Sequence, residues 1–324
     1  MRVLCLTLRL ALLCLALAAF PAVAEAQMVI RFVASYGSDA NDCTRTRPCR
    51  TLQRGVDATP AGSELQVLDS GSYGPTASIT KSITISAEGV TATLFNPDDT
   101  STITVNNPTA VVVLRGLTLS GGGSGQRGLD VTEAAALYVE RCEFERFTGD
   151  GIRLQFADTS LYIKHSVSRA NGNDGLLVNG NGTTARVTVE ESRFENNAGD
   201  GLDIDGVESV VTRTVTSGNG SDGIEQSSGR MTVSWTTSAQ NNNGYNVGFG
   251  GQMTLEYVAA RGNTGSGFSV SVTGASVGRV SNSVFTNNGI GITNNGTVET
   301  RQNNTVAGNT TDLTGNALTP ISGT

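Results

Sequence analysis

Short alternations of apolar and polar residues fill most of the chain. Runs such as LYIKHS, RVTVEES and MTVSWTT place an apolar side chain at every second position, which is the pattern of a β-strand that buries one face. The one convincing helical stretch is CRTLQRGVDATPAG, in which Leu52, Val56 and Ala58 share a face. Pro60 and Gly62 end that helix. The pattern predicts an all-β protein with one short helix near its N-terminal end.

The second half of the chain repeats a unit of about 23 residues, a period typical of solenoids. In each unit a glycine opens an apolar alternation, as in GDGIRL, NDGLLV, GDGLDI and SDGIEQ. The aligned glycines are Gly128, Gly151, Gly175, Gly201, Gly223, Gly244, Gly267 and Gly291. A column of amide side chains precedes these glycines. It consists of Asn171, Asn197, Asn219, Gln240 beside Asn241, Asn263, Asn287 and Asn309.

A unit this short cannot bury its apolar side by itself, so copies of it must stack on one another. Each unit reads as three strands joined by turns that are too short for crossover helices, so the stacked strands run parallel. The units then form a parallel β-helix of about ten coils, with neighbouring strands about 4.8 Å apart. Asparagines stacked at this spacing can satisfy the turns and hydrogen-bond along the solenoid axis.

The chain divides into four predicted segments. Residues 1–26 read as a signal peptide, with a basic start, an apolar run and a small-x-small cleavage sequence. Residues 27–62 form an N-terminal cap that holds the short helix, 63–316 form the β-helix, and 317–324 form a flexible tail. This organisation predicts a secreted or periplasmic protein. Because no second long apolar segment follows, no membrane span is expected.

The chain is acidic, with a formal net charge of −7. Removal of the signal peptide takes away two arginines and one glutamate, which leaves −8. This charge argues against nucleic acid or an anionic membrane as a partner, because nothing would neutralise the phosphates. It also disfavours an anionic polysaccharide unless a cation bridges the two. Forty glycines and few aromatic residues agree with many short strands and tight turns.

Three cysteines follow the signal peptide. Cys43 and Cys49 lie close together in CTRTRPC, and in an oxidising compartment this spacing favours a local disulfide. Two free thiols are the alternative. Cys142 lies in an alternating apolar segment, so we expect it to be unpaired and buried.

The segment RFVASYGSDANDCTRTRPCRTLQRGVDATPAGSELQVLDSGSYGP resembles the N-terminal part of secreted bacterial right-handed parallel β-helix proteins of the pectin lyase-like superfamily. It joins a first strand and a Gly-Ser-Asp turn to a Pro-x-Arg-Thr-Leu-Gln helix start. The later N…DGI coils resemble the same superfamily. The resemblance therefore implies a right-handed parallel β-helix whose first coil is capped by the helix. The superfamily includes lyases, hydrolases, epimerases, tailspikes and adhesins, so the resemblance implies no single activity.

One cluster of carboxylates has the spacing of a functional site. On the strand after the aligned glycine, side chains alternate, so Asp203 and Asp205 point outward and Glu225 lies one coil from Asp203. The expected separations, about 7 Å along the strand and about 5 Å between coils, suit the carboxylate pair of a glycoside hydrolase or a Ca²⁺ site. Acids that merely solvate the surface are the alternative. Without a cation, such neighbours raise one another's pKa.

A second acidic column directly precedes the glycines. Its members are Asp150, Asp174, Asp200 and Asp222. Aspartates of Asp-Gly turns accept hydrogen bonds from nearby backbone amides, and we expect that structural role here. Weak binding of a cation between coils is the alternative.

Basic and aromatic candidates are few. His165 is the only histidine and follows Lys164, whereas Arg153 comes from another strand of the same coil, so we expect no joint active site. Trp235 and Tyr257 occupy comparable places in TVSWTT and TLEYVA. Such stacked aromatics either bind a glycan or pack at a protected turn.

The leading hypothesis is a secreted β-helix protein that binds carbohydrate and has no recognisable catalytic motif. The Gly-His-Gly and Asp-Asp sequences of polygalacturonase-like sites are missing from its coils, since Asp98-Asp99 stands in a turn-like segment. A polysaccharide-degrading enzyme, either a calcium-assisted lyase or a hydrolase centred on Asp203, Asp205 and Glu225, is the second hypothesis. A structural or adhesin-like solenoid without glycan affinity is the third.

Overall fold

The computed structural model describes residues 29–155, 158–180, 182–271 and 275–322, so the predicted signal peptide lies outside the described residues. Within them the chain forms a parallel β-helix whose coils each contribute a first, a second and a short third strand. The first and second strands form a 22-stranded sheet, and the third strands form an 11-stranded sheet. The predicted all-β solenoid of about ten coils is confirmed.

The strands fall into three columns along the solenoid. The first strands are Ala77–Ile79, Ile152–Gln155, Leu176–Asn179, Leu202–Asp205, Ile224–Ser227, Tyr245–Val247, Ser266–Val270, Ile290–Asn294 and Thr311–Gly315. The second strands are Ile30–Val33, Ser63–Val67, Ile83–Ser86, Ser160–Lys164, Arg186–Glu190, Glu208–Thr212, Arg230–Ser234, Gln252–Glu256, Val277–Ser281, Thr297–Thr300 and Thr319–Pro320. Two long strands, Ser101–Arg115 and Arg127–Glu140, pass through both positions. The third strands are Gly71–Ser72, Ala92–Phe95, Leu117–Ser120, Glu143–Glu145, Val167–Arg169, Arg193–Glu195, Val215–Ser217, Thr237–Ala239, Ala259–Arg261, Val284–Thr286 and Thr305–Val306.

Neighbouring coils pair residue for residue, which stacks equivalent side chains. Leu202 pairs with Leu176 in one direction and with Ile224 in the other. The inward column predicted from the sequence is almost completely buried. It consists of Leu129, Ile152, Leu176, Leu202, Ile224, Tyr245, Phe268 and Ile292. Because each buried aliphatic or aromatic side chain stabilises the fold by about 1.5–3 kcal/mol, this column forms the core and fixes the register of the outward side chains.

A ladder of buried asparagines runs through the turn between the third and first strands. Asn171 donates its amide N–H to Asn197 at 2.9 Å, and Asn197 donates to Asn219 at 3.0 Å. The ladder continues through Asn241, Asn263, Asn288 and Asn309. Each amide oxygen also accepts from a backbone N–H of the preceding coil, as Asn219 does from Asn197. The ladder therefore satisfies the polar groups that the turn buries.

The prediction was wrong for two positions of the amide column. Gln240 and Asn287 have left-handed backbone, with φ of 58° and 56°, and the ladder uses the next residues, Asn241 and Asn288. In these two coils the ladder asparagine stands three positions before the aligned glycine, instead of four. A left-handed residue followed by an inward amide, rather than a fixed count from the glycine, defines this turn.

The N-terminal helix, α1, spans Leu52–Ala58 and packs on the first coils. Thr51 caps it by accepting from the N–H of Arg54, and Leu52 and Val56 are buried as predicted. Gly55 allows the close approach, since a Cβ there would lie 2.6 Å from Val33 Cγ1. The helix thus covers apolar side chains of the first coil.

The cysteines occupy the places that the sequence predicted. Cys43 and Cys49 form a disulfide with Cα atoms 4.7 Å apart, and both are buried. Cys142 is free and buried, and burial raises the pKa of its thiol to about 12. Such a thiol is unreactive, so Cys142 acts as a small apolar core residue. Separately, no helix among the described residues has the length and apolar character needed to cross a membrane.

Candidate functional site

The first-strand face carries the three carboxylates that the sequence predicted to lie together. Asp203 and Asp205 lie on Leu202–Asp205 and pair in register with Glu225 and Ser227 of the next coil. All three carboxylates lie at outward positions and are half-buried. Burial of Leu202 and Ile204 on the opposite side of the strand fixes this orientation.

A fourth carboxylate joins this cluster from the preceding turn. Oxygens of Asp200, Asp203 and Glu225 all lie within 4.8 Å of one another. Asp205 is turned toward the next coil, where its Oδ1 accepts from the backbone N–H of Ser227 at 3.0 Å. Glu225 accepts from the hydroxyl of the same serine at 3.1 Å. We refer to Asp200, Asp203, Asp205 and Glu225 as the acidic cluster.

Asp200 belongs at the same time to the ladder of turn aspartates. Asp174 accepts from the backbone N–H of Asp200 at 2.7 Å, and Asp200 accepts from that of Asp222. Asp222 in turn accepts from the side-chain amides of Asn243 and Asn246 at 2.8 and 2.7 Å. The predicted bonding of this column to backbone amides is confirmed, and the donors belong to the next coil. These bonds leave other oxygens of Asp200 available to the cluster.

The pKa of every member of the acidic cluster is raised by burial, and for Asp200, Asp203 and Glu225 also by repulsion from neighbouring carboxylates. Desolvation, followed by repulsion from Asp205, raises the pKa of Asp203 to about 8. Desolvation and then repulsion from Asp200 raise the pKa of Glu225 to about 7. The pKa values of Asp200 and Asp205 are raised mainly by desolvation. Near neutral pH the cluster therefore holds protons that exposed acids release.

Among the residues that the structure describes, no basic side chain forms an ion pair with the acidic cluster. None of the ion pairs formed within the described ranges includes one of its four members. On the same face, Arg153, two coils before Asp203, is paired at 2.8 Å with Asp130 of the coil before it. Beside the cluster, Asn179 pairs in register with Asp205, and its buried Oδ1 has no hydrogen-bond partner among the described residues. The site thus offers several oxygen ligands and no internal cation.

Oxygen ligands of this kind suit a hard cation such as Ca²⁺, which takes six to eight carboxylate, carbonyl and water oxygens. Asp200, Asp203 and Glu225 supply carboxylate oxygens that lie within 4.8 Å of one another. A cation there would lower the raised pKa values, because it favours the ionised carboxylates. The donor set therefore fits calcium.

Arginines border a shallow groove on the second-strand face, which sequence reasoning missed. The groove has a volume of about 280 Å³, and Thr188 and Thr232 are among the small side chains that line it. Arg186 is exposed at its edge, and Arg230 lies 3.5 Å from Glu208. The signal in the sequence was weak, because these arginines do not repeat at one position in every coil: Arg186 and Arg230 start second strands, whereas Arg279 lies in the middle of one.

The other candidates from the sequence lie apart from the acidic cluster. Lys164, the last residue of a second strand, pairs with Glu190 at 3.0 Å, and His165, just beyond that strand, pairs with Glu191 at 3.0 Å. Arg153 is held by Asp130, so the three basic residues form no joint site, as expected. Each of them links neighbouring coils, and the partly exposed pairs of Lys164 and His165 contribute little to stability.

The sequence matches a family model described as "Right handed beta helix region" over residues 65–209 and 174–322. No curated protein matches it. The crystal structure of pectate lyase Pel9A is similar, with a TM-score of 0.58, 15% identity, and coverage of 92% of this chain and 80% of that one. The A-module of the mannuronan C-5 epimerase AlgE4 from Azotobacter vinelandii has a TM-score of 0.60 and 16% identity, with coverage of 84% and 95%. At these identities the structures show a common fold, the right-handed parallel β-helix.

Proposed function

This chain belongs to the right handed beta helix family, and on that premise we propose that it binds polysaccharide outside the cell through the acidic cluster on its first-strand face. The observation that carries the proposal is the convergence of Asp200, Asp203 and Glu225 within 4.8 Å without a basic partner. An arrangement that gains little for stability is expected to serve binding. The signal-peptide pattern and the Cys43–Cys49 disulfide support an extracellular location.

Calcium is the proposed cofactor of this site. Asp200, Asp203 and Glu225 would hold the ion. When bound, it would supply the positive charge that an acidic sugar needs on a chain of net charge −7. Both similar structures act on acidic polymers by their names, pectate and mannuronan, which makes a polyuronate the first ligand to test.

The side chains around the acidic cluster supply groups that sugar hydroxyls recognise. Ser227 already donates to Glu225, and Asn246 donates to Asp222 one coil further along. Amide, hydroxyl and carboxylate groups on a rigid sheet can orient a glycan without moving, which limits the entropic cost of binding. The face would therefore bind a polysaccharide as a pre-formed surface.

Native gel electrophoresis in gels that contain a polysaccharide tests the binding proposal. Polygalacturonate, alginate and a neutral glucan are compared with calcium and with EDTA. We expect calcium-dependent retardation by a polyuronate, and its loss in the Asp203→Asn, Glu225→Gln double variant. The Asp98→Asn, Asp99→Asn variant removes the same charge from an exposed turn and should stay retarded. Equal mobility of all proteins in every gel would contradict the proposal.

Hydrolysis is a second candidate function, favoured by the raised pKa of one carboxyl. With a pKa of about 8, Asp203 keeps its proton at neutral pH and could donate it to a glycosidic oxygen. Glu225 would act as the second carboxylate, since their oxygens lie within 4.8 Å and retaining hydrolases use carboxyl groups about 5–5.5 Å apart.

An assay of the same glycans for new reducing ends, and for the ultraviolet absorbance of unsaturated products, tests catalysis. Hydrolysis predicts reducing ends without unsaturation, and Asp203→Asn should lower the rate about 10²–10⁴-fold. Unsaturated products would indicate a lyase. Binding without either product would exclude hydrolase and lyase activity and favour a binding protein.

A further inference from the structure

A stacked pair of aromatic rings stands exposed at a corner of the solenoid. Each coil turns from its second to its third strand at a residue with left-handed backbone. This corner column consists of Arg141, His165, Glu191, Arg213, Trp235, Tyr257, Asn282 and Gln302. The rings of Trp235 and Tyr257 are 4.3 Å apart between centroids and 11° from parallel. Trp235 is 61% exposed and Tyr257 is 46% exposed.

Polar members of the corner column use their side chains to link coils. Arg141 pairs with Glu88, and Asn282 donates to Glu256 at 2.6 Å. Arg213 directs its guanidinium at Glu190 and Glu191 of the preceding coil, not at the neighbouring indole. Within the described ranges neither the indole N–H of Trp235 nor the hydroxyl of Tyr257 has a hydrogen-bond partner. The aromatic pair therefore links two coils through one ring contact and leaves much of its surface in water.

This exposure points to a ligand. Left-handed backbone is uncommon for a bulky residue and more readily adopted by asparagine, which occupies the next coil as Asn282. Large flat side chains lose little conformational entropy on binding and are enriched where proteins bind partners. We propose that Trp235 and Tyr257 form a stacking platform for a pyranose ring of the polysaccharide, separate from the acidic cluster.

The surrounding chemistry selects a sugar over other planar or apolar ligands. A nucleotide would bring phosphates, but Arg213, which precedes Trp235 in the corner column, is already held by two carboxylates. Ser234 and Glu256 directly precede the two aromatic residues, and Asn282 follows in the next coil. Hydroxyl, carboxylate and amide groups beside an aromatic face match the hydroxyl edge and the apolar face of a sugar ring.

The platform rests on the proposed polysaccharide binding but lies on different residues, so it can be tested separately. Trp235 is the only tryptophan of the chain, and its fluorescence therefore reports on this corner alone. Purified protein is titrated with oligogalacturonate, oligomannuronate and a neutral cello-oligosaccharide. With the glycan that binds, we expect a saturable blue shift of Trp235 emission and about twofold weaker quenching by acrylamide.

Two variants separate ligand contact from the stability of the solenoid. Tyr257→Ala should weaken binding about fivefold or more, because it removes half of the platform. Tyr162→Ala is the matched control, since Tyr138 and Tyr162 also stack, with centroids 4.8 Å apart, in earlier coils. The Tyr162→Ala variant should lose a ring contact and keep its affinity for the glycan. Thermal unfolding of both variants measures the shared structural loss.

Three outcomes would overturn the platform. Retardation of the protein by a glycan that leaves the emission and quenching of Trp235 unchanged contradicts the platform and leaves the proposed function intact. A blue shift that depends on protein concentration alone would mean that a second copy covers the rings. Absence of binding to every glycan, in gels and in titrations, contradicts both proposals.

Discussion

Asp203 has the largest consequence among the single residues, because its carboxyl is half-buried among other acids. Its ordinary pKa of 3.8 rises to about 8 on folding, so the folded state binds the proton more tightly than the unfolded state does. The stability that this proton contributes is fully present below about pH 4 and is lost as the pH rises toward about 8. Glu225 acts in the same direction. Without calcium, folding should therefore weaken as the pH rises through neutrality.

The first prediction follows for Asp203→Asn. In EDTA, the variant should be more stable than the wild type by about 1–3 kcal/mol at about pH 8, and the difference should shrink at about pH 5. Urea unfolding at the two pH values measures it. Asp99→Asn, at an exposed turn position, is the control and should show no such trend. Equal destabilisation of the variant at both pH values would contradict this account, because it would show that the Asp203 carboxyl makes a stabilising contact instead of an unfavourable one.

Residue positions also show what the sequence could predict about the site. Asp203 and Glu225 followed from strand alternation and the repeat period, because both depend on local geometry alone. Asp200 was assigned to the turn only, since the direction of a turn side chain depends on backbone angles that the sequence pattern does not fix. Asn179 carried no signal, because its orphaned oxygen is visible only once the neighbouring coils are in place.

At the scale of elements, the asparagine ladder determines how tightly coils are held together. Asn219 has both amide groups bonded inside the turn, and its removal leaves partners in Asn197 and Asn241 unsatisfied. The second prediction is that Asn219→Ala lowers the free energy of unfolding by about 2–4 kcal/mol. Asn242→Ala, one residue beyond the ladder and exposed, should change it by less than about 0.5 kcal/mol. Urea unfolding of both variants measures the two changes in the free energy of unfolding.

The sequence predicted the ladder itself but not its register in every coil. Most coils place the asparagine four residues before the glycine, whereas Asn241 and Asn288 stand three before it. Turn length varies because only the left-handed residue and the inward amide are required, as the backbone of Gln240 and Asn287 shows. A repeat count cannot detect that difference, although the chemistry of the turn can.

The disulfide acts on the first coils. In an oxidised protein, Cys43 and Cys49 close a short loop beside α1, which should stabilise that end by about 2 kcal/mol. The third prediction is that a reducing agent speeds hydrogen exchange in Ile30–Val33 and leaves the central coils unchanged, because solenoid ends open separately. The Cys43→Ser, Cys49→Ser variant should exchange fast with or without the reductant. Uniform acceleration along the chain would contradict an end-specific role.

On the scale of the whole molecule, stacking of like coils turns small repeats into continuous surfaces. The first-strand face carries the acidic cluster, the second-strand face an arginine-bordered groove, and the corner beyond it the aromatic pair. The repeat period predicted the stack. It could not predict these surfaces, because each depends on outward residues that break the repeat.

Calcium binding should be visible in the stability of the whole solenoid. A ligand that binds only the folded state at a hundred times its dissociation constant stabilises by about 2.7 kcal/mol. The fourth prediction is therefore that calcium raises the unfolding midpoint of the wild type, and reverses its weakening above neutral pH. The Asp203→Asn, Glu225→Gln variant should show neither effect. An equal rise in both proteins would place the ion elsewhere.

Titration calorimetry of the protein with the polyuronate that retards it in gels, with calcium present, tests the central claim most directly. The wild type should bind measurably, and the Asp203→Asn, Glu225→Gln variant should bind at least about tenfold more weakly, which corresponds to about 1.4 kcal/mol. Replacement of calcium by EDTA should abolish the difference between the two proteins. Equal dissociation constants for the wild type and the variant in calcium would contradict polysaccharide binding through the acidic cluster.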